Sequence, residues 1–327
     1  MNSEHALLAG YLLDGTGHAS PVKLEQLETI KREAGQTLWL HWDREHPQTR
    51  HWLKKCGWVN RFERQLLLEQ NTRPRQVQSS GQSLLMFWRI LSPDSLEQTH
   101  EFLSLRLHVQ PGLVLSFAQP RANPEQGLAA LFHQGYGPKD AAGLLIVLMQ
   151  TTFDRSNNVI EALINTVDEI EASLQNPGYE KGDELQMLQL RRNTASLRRH
   201  LLPTLDLLTS LGHHRSDWLD NQFYADWNEI SNHLTRHLEE LALCRERIGF
   251  VLDTQQRKQS IRMGRIMYLL TVITGFFLPL SFVTSLLGVN LGGIPGSDTI
   301  YGFLALCLLL VLLALIQYSL LRWLRWL

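Results

Sequence analysis

Cysteine is scarce in this chain, which has three among its 327 residues: Cys56, Cys244 and Cys307. An odd number of widely spaced cysteines argues against a disulfide framework and is typical of a reducing compartment. The sequence also lacks a glycine-rich phosphate loop, a Gly-x-Ser-x-Gly elbow and a His-Glu-x-x-His pair. We therefore predict that the protein is not an enzyme and has no resident cofactor.

An excess of either charge is also missing, because 31 Lys and Arg residues nearly balance 32 Asp and Glu residues. The resulting net charge of −1 argues against a polyanionic partner, so we expect no nucleic-acid binding. The length of the chain is sufficient for a soluble domain of about 200 residues and a membrane part.

Charged residues are absent altogether from two stretches near the C-terminus, residues 266–287 and 300–321. Each has 22 residues without Asp, Glu, Lys, Arg or His, enough for a helix to cross the roughly 30 Å hydrocarbon core. The alternative is a pair of buried helices in a soluble protein, but residues 304–315 are apolar on every side. The sequence therefore predicts an integral membrane protein with two spans.

The charges beside these spans indicate their orientation. Basic residues flank both spans on their outer ends, whereas residues 288–299 between them contain no Lys or Arg; the flanking residues are Arg257, Lys258, Arg262, Arg265, Arg322 and Arg325. Because Lys and Arg remain on the cytoplasmic side, we expect both termini in the cytoplasm. We expect the protein in an inner (plasma) membrane of bacterial type.

The N-terminal region has strand-like apolar runs at residues 6–13, 37–42, 83–91, 102–109 and 113–118. The last two flank Gln110-Pro111-Gly112, a turn signal that predicts an antiparallel hairpin. Residues 65–70 and 95–99 have the pattern of helical connections. This region is predicted to be a small α/β domain with a mostly antiparallel sheet.

The rest of the chain has helical periodicity. Residues 141–174 and 183–211 are predicted to form two helices that pair antiparallel, separated by the helix stop Asn176-Pro177-Gly178. From Asp217 to Leu287 the one proline is Pro279, so we expect a single helix of roughly 70 residues, on the order of 100 Å long. A helix of that length needs partner helices along its sides, which indicates a coiled-coil-like oligomer.

These patterns predict an α+β cytoplasmic domain followed by a long stalk helix and two transmembrane helices. The predicted boundaries are residues 1–138 for the α/β domain, 139–212 for the helical pair and 213–265 for the stalk. Residues 266–287 form the first span, 288–299 an external loop, 300–321 the second span and 322–327 a cytoplasmic tail.

A stripe of six side chains, three of them hydroxyl residues, runs along the first span. Its members recur at intervals of three to four residues and lie close to one helical face: Met267, Leu270, Thr274, Leu278, Ser281 and Ser285. Hydroxyl and carbonyl oxygens offer a hydrated cation weak acceptors, which is a pattern suited to a pore. Alternatively, Ser and Thr bond their own backbone or pack helix against helix, as they often do in membranes.

The segment after this stripe reads Gly288-Val289-Asn290-Leu291-Gly292-Gly293-Ile294-Pro295-Gly296. A Gly-x-Asn tripeptide at the end of the first of two C-terminal spans resembles the CorA superfamily of pentameric divalent-cation transporters. Magnesium-type members have Gly-Met-Asn and a loop with Met-Pro-Glu-Leu, whereas here Val289 replaces Met and Gly296 follows Pro295. This variant, together with Thr72-Arg73-Pro74-Arg75, is similar to the ZntB-type zinc transporters.

The resemblance implies a funnel-shaped homopentamer with a pore lined by the stripe of the first span. It also implies that Asn290 forms a neutral ring at the outer mouth, able to accept hydrogen bonds from the water shell of an ion. The expected cargo is Zn²⁺, with Co²⁺, Ni²⁺ and Mg²⁺ as further candidates. A magnesium or cobalt channel of the same architecture and a membrane-anchored regulatory protein remain alternatives.

Two weaker metal candidates lie in the predicted stalk. By its distance from the signature, Asp253 falls where magnesium-type relatives have an acidic site, although a solvated Asp is nearly as good an explanation. His233 and His237 are four residues apart and share a helical face, a spacing that can bind zinc. A histidine pair on a solvated helix is the commoner case.

Overall fold

The computed structural model describes residues 6–70, 72–79, 82–92, 101–122, 124–125, 127–173, 182–213, 215–289 and 300–323. Seven strands form one sheet: β1 (Leu7–Leu13), β2 (Ala19–Pro21), β3 (Thr37–Asp43), β4 (Arg75–Gln78), β5 (Leu84–Leu91), β6 (Phe102–Gln110) and β7 (Leu113–Ala118). The α-helices of the described chain are α1 (Pro47–Lys55), α2 (Arg61–Leu68), α3 (Leu128–Gln134), α4 (Ala141–Ser173), α5 (Gly182–His213), α6 (Asn221–Leu287) and α7 (Gly302–Trp323). The chain divides into two compact units, Met1–Phe250 and Val251–Leu327.

The sheet has the order β2-β1-β3-β7-β6-β5-β4. The predicted hairpin is confirmed, since β6 and β7 pair antiparallel around Gly112, whose φ of 72° suits a residue without a side chain. β3 and β7 run parallel, whereas the other five neighbouring pairs are antiparallel. The sheet is therefore mostly antiparallel, as predicted.

One face of the sheet packs against α1 and α2. Leu40 and Trp42 of β3 and Phe117 of β7 belong to a buried apolar cluster that includes Leu53 of α1 and Leu67 of α2. α2 begins earlier than the predicted connection at residues 65–70, because a capping box forms at its start. There the Asn60 side chain accepts a hydrogen bond from the Glu63 amide, and the Glu63 carboxylate accepts one from the Asn60 amide, both at 2.9 Å.

The opposite face contains buried polar groups. His41 of β3 is fully buried, and its Nδ1 lies 2.8 Å from the Ser116 hydroxyl of β7, which also accepts a hydrogen bond from Trp39 Nε1 at 2.9 Å. Burial lowers the pKa of His41 to about 4, although Ser116 and Asp43 oppose the shift. The imidazole is therefore neutral at physiological pH.

A second buried pair joins α2 to the sheet. Nε2 of His108 lies 3.3 Å from the Glu63 carboxylate, which also accepts a hydrogen bond from the Ser83 hydroxyl at 2.5 Å. Burial raises the pKa of Glu63, but the hydrogen bonds from Ser83 and Asn60 outweigh it, so the pKa lies below its usual value. Burial lowers the pKa of His108 against the attraction of Glu63.

The helices of the first unit pack through specific contacts. Trp227 of α6 is buried and donates from Nε1 to the Leu208 carbonyl of α5 at 2.9 Å. Arg247 of α6 binds Asp168 and Glu171 of α4. α6 begins at Asn221 because Asp220 accepts a hydrogen bond from the Phe223 amide at 2.7 Å, which caps the helix.

The second unit contains the C-terminal part of α6 together with α7. The most apolar 18-residue windows of these two helices have mean hydropathies of 2.1 and 2.6, and no residue of either window is buried within the chain. Both helices are long and apolar enough to cross a bilayer, in agreement with the two predicted spans.

Some predictions fall on residues outside the described ranges. These are the helical connection at residues 95–99, the helix stop at 176–178, Asn290 with the following loop through residue 299, and Arg325.

Candidate cation pathway

The predicted stripe lies on the C-terminal part of α6. All six side chains, at positions 267, 270, 274, 278, 281 and 285, are exposed within the single chain. At about 100° per residue they fall within an arc of roughly 80° centred near Ser281 and Thr274. We call this arc the hydroxyl face.

The hydroxyl groups of α6 divide into two classes. Thr271 donates to the Met267 carbonyl at 2.8 Å, and Thr284 donates to the Ser281 carbonyl at 3.0 Å. Both of these residues lie beside the hydroxyl face, one on each side. Within the described part of the chain, the hydroxyls of Thr274, Ser281 and Ser285 form no side-chain hydrogen bond, so they are available to another acceptor or donor.

The glycine of the Gly-x-Asn segment ends the helix. The Gly288 amide donates to the Thr284 carbonyl at 2.9 Å, and a Cβ added at Gly288 would lie 3.0 Å from that same oxygen. A side chain there would crowd the last helical turn, so glycine is suited to this end of α6. Val289 is 43% exposed, and Asn290 lies outside the described residues.

A proline interrupts the hydrogen bonding of α6 below this end. Pro279 lies inside the helix and has no N–H, so the Gly275 carbonyl four residues earlier lacks its usual intrahelical donor. The sequence pattern predicted a continuous helix through Pro279. The freed Gly275 carbonyl was not predicted, although the i−4 rule is a signal for it.

The weaker metal candidates lie on α6 at positions that precede the stripe in the sequence. Asp253 is exposed on α6 in the second unit. In the first unit, His233 Nε2 lies 3.1 Å from Glu229 Oε1, and His237 Nδ1 lies 3.4 Å from Glu240 Oε2. Each imidazole therefore pairs with a carboxylate of its own helix. Across the described ranges, no group of three or more His, Cys, Asp or Glu side chains is arranged to hold a metal ion.

The Thr72-Arg73-Pro74-Arg75 segment has a structural role in the first unit. Thr72 is buried, with its hydroxyl 3.0 Å from that of Ser104, and it leads into β4. Arg75 pairs with Glu69 at 2.6 Å and lies over the ring of Phe87, 5.2 Å from its centroid. These contacts attach the edge strand β4 to the rest of the sheet.

Comparison with known proteins defines the family. Residues 34–322 match the family model described as CorA-like Mg²⁺ transporter protein. The chain belongs to this CorA-like family. Its members are transporters, which agrees with the prediction that the chain is not an enzyme. With its two apolar C-terminal helices, the chain is an integral membrane protein of this family.

One relative and two solved structures resemble the chain over nearly its whole length. It is 38% identical to the divalent cation transporter CmaX of Pseudomonas aeruginosa, over 99% of this chain and 98% of that protein. A solved full-length CmaX structure has a TM-score of 0.87 at 36% identity, covering 99% of both chains. The CorA magnesium transporter of Methanocaldococcus jannaschii has a TM-score of 0.79 at 18% identity, covering 96% of this chain and 98% of that chain.

The ZntB resemblance is narrower. The ZntB cytoplasmic domain of Vibrio parahaemolyticus has a TM-score of 0.64 at 18% identity, covering 78% of this chain and 98% of that domain. At this identity, the similarity to the ZntB domain shows a shared fold alone. The predicted architecture, an α+β domain with a long helix and two apolar C-terminal helices, is confirmed by the CmaX and CorA structures. The ZntB-type assignment is not confirmed.

Proposed function

We propose that this chain transports divalent metal cations as a homopentamer, through a central pore lined by the hydroxyl face of α6. The observation that supports this most is the difference between the two hydroxyl classes. The hydroxyls of Thr271 and Thr284 donate to carbonyls of their own helix, whereas those of Thr274, Ser281 and Ser285 have no hydrogen bond to any described residue. A face of unused neutral oxygens is expected where water or a hydrated ion is the partner.

The proposed mechanism keeps the ion hydrated. Neutral hydroxyls accept hydrogen bonds from the ion's water shell without replacing it, so an ion is attracted weakly and released easily. Asn290 is proposed to repeat this chemistry as an amide ring at the outer mouth. Leu270 and Met267 form a hydrophobic constriction that closes the pore by excluding water.

The driving force is proposed to come from ion or proton gradients and the membrane potential, since the sequence has no nucleotide-binding motif. The basic residues that flank the spans support a cytoplasmic location for both termini. A potential that is negative inside then favours inward movement of a doubly charged ion by about 4.6 kcal/mol per 100 mV.

The cargo we propose is Zn²⁺, because the loop lacks the Glu that magnesium-type members have after their proline and instead has Gly296. Mg²⁺ is the second candidate, with Co²⁺ beside it. Mg²⁺ is favoured by the match of residues 34–322 to a family described as CorA-like Mg²⁺ transporter protein. Asn290 itself accepts any hydrated M²⁺, so it does not decide between them.

The pore assignment is tested by flux measurements in proteoliposomes with Zn²⁺, Mg²⁺, Co²⁺ and Ni²⁺, with and without a pH gradient. Thr274→Val removes a hydroxyl from the hydroxyl face at nearly constant volume, and Thr284→Val removes one that is bonded within the helix. We expect a clear loss of flux for Thr274→Val and near-normal flux for Thr284→Val. Equal effects of the two changes would refute the assignment of this face to the pore.

The same experiment addresses a different class of function, a membrane-anchored regulatory protein whose spans act only as a tether. Such a protein would show no flux of any of the four ions in its unmodified form. It would also tolerate Thr274→Val and Thr284→Val equally.

A further inference from the structure

The positive charges of α6 are concentrated just before its apolar part. Arg257, Lys258, Arg262 and Arg265 lie within nine residues, and all four side chains are exposed. From residue 254 to the end of the helix at Leu287 there is no Asp or Glu. Arg262 and Arg265 are three residues apart, and like charges at that spacing destabilise a helix, which favours an anionic partner for these two residues.

Three of these four residues share one side of the helix. At about 100° per residue, Lys258, Arg262 and Arg265 lie at roughly 180°, 220° and 160° from Met267, whereas the hydroxyl face spans roughly 300° to 20°. We call these three residues the basic face. Arg257 is different, since it lies at about 80°, between the two faces.

The basic face and the hydroxyl face lie on opposite sides of α6, and this placement indicates what kind of molecule the basic face binds. Positive charge beside the ion path would repel a divalent cation, and the basic face is turned away from that path. Its last member, Arg265, lies one residue before the apolar stretch that begins at Ile266, which is the level of the lipid headgroups on one side of a bilayer. Juxtamembrane clusters of Lys and Arg attract anionic lipids.

We infer that the basic face of α6 binds the phosphate groups of anionic phospholipid headgroups. This inference rests on the proposed function, because the hydroxyl face decides which side of α6 is turned away from the ion. Arg262 and Arg265 supply forked donors that fit phosphate oxygens.

Native mass spectrometry of the full-length protein in detergent tests this inference, with phosphatidylglycerol added in one arm and phosphatidylcholine in the other. We expect phosphatidylglycerol to bind in preference. Arg262→Gln and Arg265→Gln should each weaken its binding about fivefold, the effect of one basic residue near a lipid surface. Arg262→Lys should retain most of the binding. The matched control is Arg257→Gln, which removes the same charge from the same segment and should leave lipid binding unchanged.

Three results would overturn the inference. One is equal binding of the two lipids, and another is an equal loss in Arg257→Gln, which would indicate a general attraction without a defined face. The third is displacement of the lipid by excess inorganic phosphate, which would identify a free-phosphate site. Flux is measured separately, so a protein that transports ions without preferring phosphatidylglycerol refutes this inference alone. A protein that binds the lipid without transporting refutes the proposed function.

Discussion

Arg247 of α6 binds Glu171 of α4 through two of its nitrogens. Nε lies 3.1 Å from Oε1 of that carboxylate, and Nη2 contacts both Oε2 of Glu171 and Oδ1 of Asp168. The hydrogen bonds from Glu171 and Asp168 raise the pKa of Arg247 further above its already high value. One guanidinium therefore joins α4 to α6 within the first unit.

We expect Arg247→Met to lower the thermal unfolding midpoint by about 3 °C, because a partly exposed ion pair contributes about 1 kcal/mol. Arg245→Met is the matched control, since Arg245 is exposed two residues away and takes part in no ion pair of the described residues. The measurement is a thermal melt of the detergent-solubilised protein. Equal midpoints for the two variants would show that the α4–α6 contact contributes nothing to stability.

The second prediction concerns pH. His41 has a folded pKa of about 4 against about 6.5 in an unfolded chain, so the unfolded state binds the proton first as pH falls. The free energy of unfolding should therefore decrease as the pH falls from about 6.5 to 4, by up to about 1.4 kcal/mol per pH unit. The lowered pKa of His108 should contribute a decrease in the same direction.

Melts between pH 7.5 and 5 test this. His41→Asn should be destabilised at neutral pH but should show a shallower pH dependence. Trp39→Phe, which removes another hydrogen bond to Ser116 without changing a titrating group, should keep the original slope. An unchanged slope in His41→Asn would contradict the assignment.

The third prediction concerns the outer mouth. Asn290→Ala should abolish or severely reduce divalent-cation flux while the oligomer still assembles, because only the amide acceptors are lost. Val289→Ala is the neighbouring control and should transport normally. Normal flux from an assembled Asn290→Ala protein would remove Asn290 from the pathway.

The fourth prediction concerns assembly. Leu243 and Phe250 are 60% and 70% exposed on α6, seven residues apart, so the helix presents apolar side chains that the single chain does not cover. We expect the detergent-solubilised protein to have the mass of a pentamer. Mass photometry showing a stable monomer or dimer would contradict this.

The fifth prediction separates pore selectivity from the histidines. We expect the double change His233→Ala with His237→Ala to leave the order of transported ions intact, because each imidazole is paired with a glutamate of its own helix. Direct ligation by these side chains would instead favour Zn²⁺ strongly over Mg²⁺. A loss of zinc preference, with the flux of the other ions unchanged, would show that the histidines select the ion.

Local patterns predicted the hairpin of β6 and β7 and the long helix α6 because each depends on residues close in sequence. Gly112 encodes the turn, and an uninterrupted helical pattern encodes α6. The edge strands β2 and β4 were missed because they are short and contain polar, partly exposed residues. Such segments become strands only when a neighbouring strand is already present.

The candidate site could likewise be predicted only in part from the sequence. Spacing placed Thr274, Ser281 and Ser285 on one face of a helix, and the structure has them there. Spacing cannot show which hydroxyls bond to their own backbone, since that depends on side-chain rotamers. The difference between Thr284 and Ser285, adjacent in sequence, is visible only in atomic contacts.

The parallel contact between β3 and β7 has a consequence for the order of synthesis. It joins a group of strands ending at Asp43 to a group that begins at Arg75, and it pairs Leu38 with Leu113. Each group can form antiparallel contacts among its own strands as it leaves the ribosome. The inner edge of β3 has no partner until residue 118 has been made, so during that interval an apolar strand edge is open to incorrect pairing.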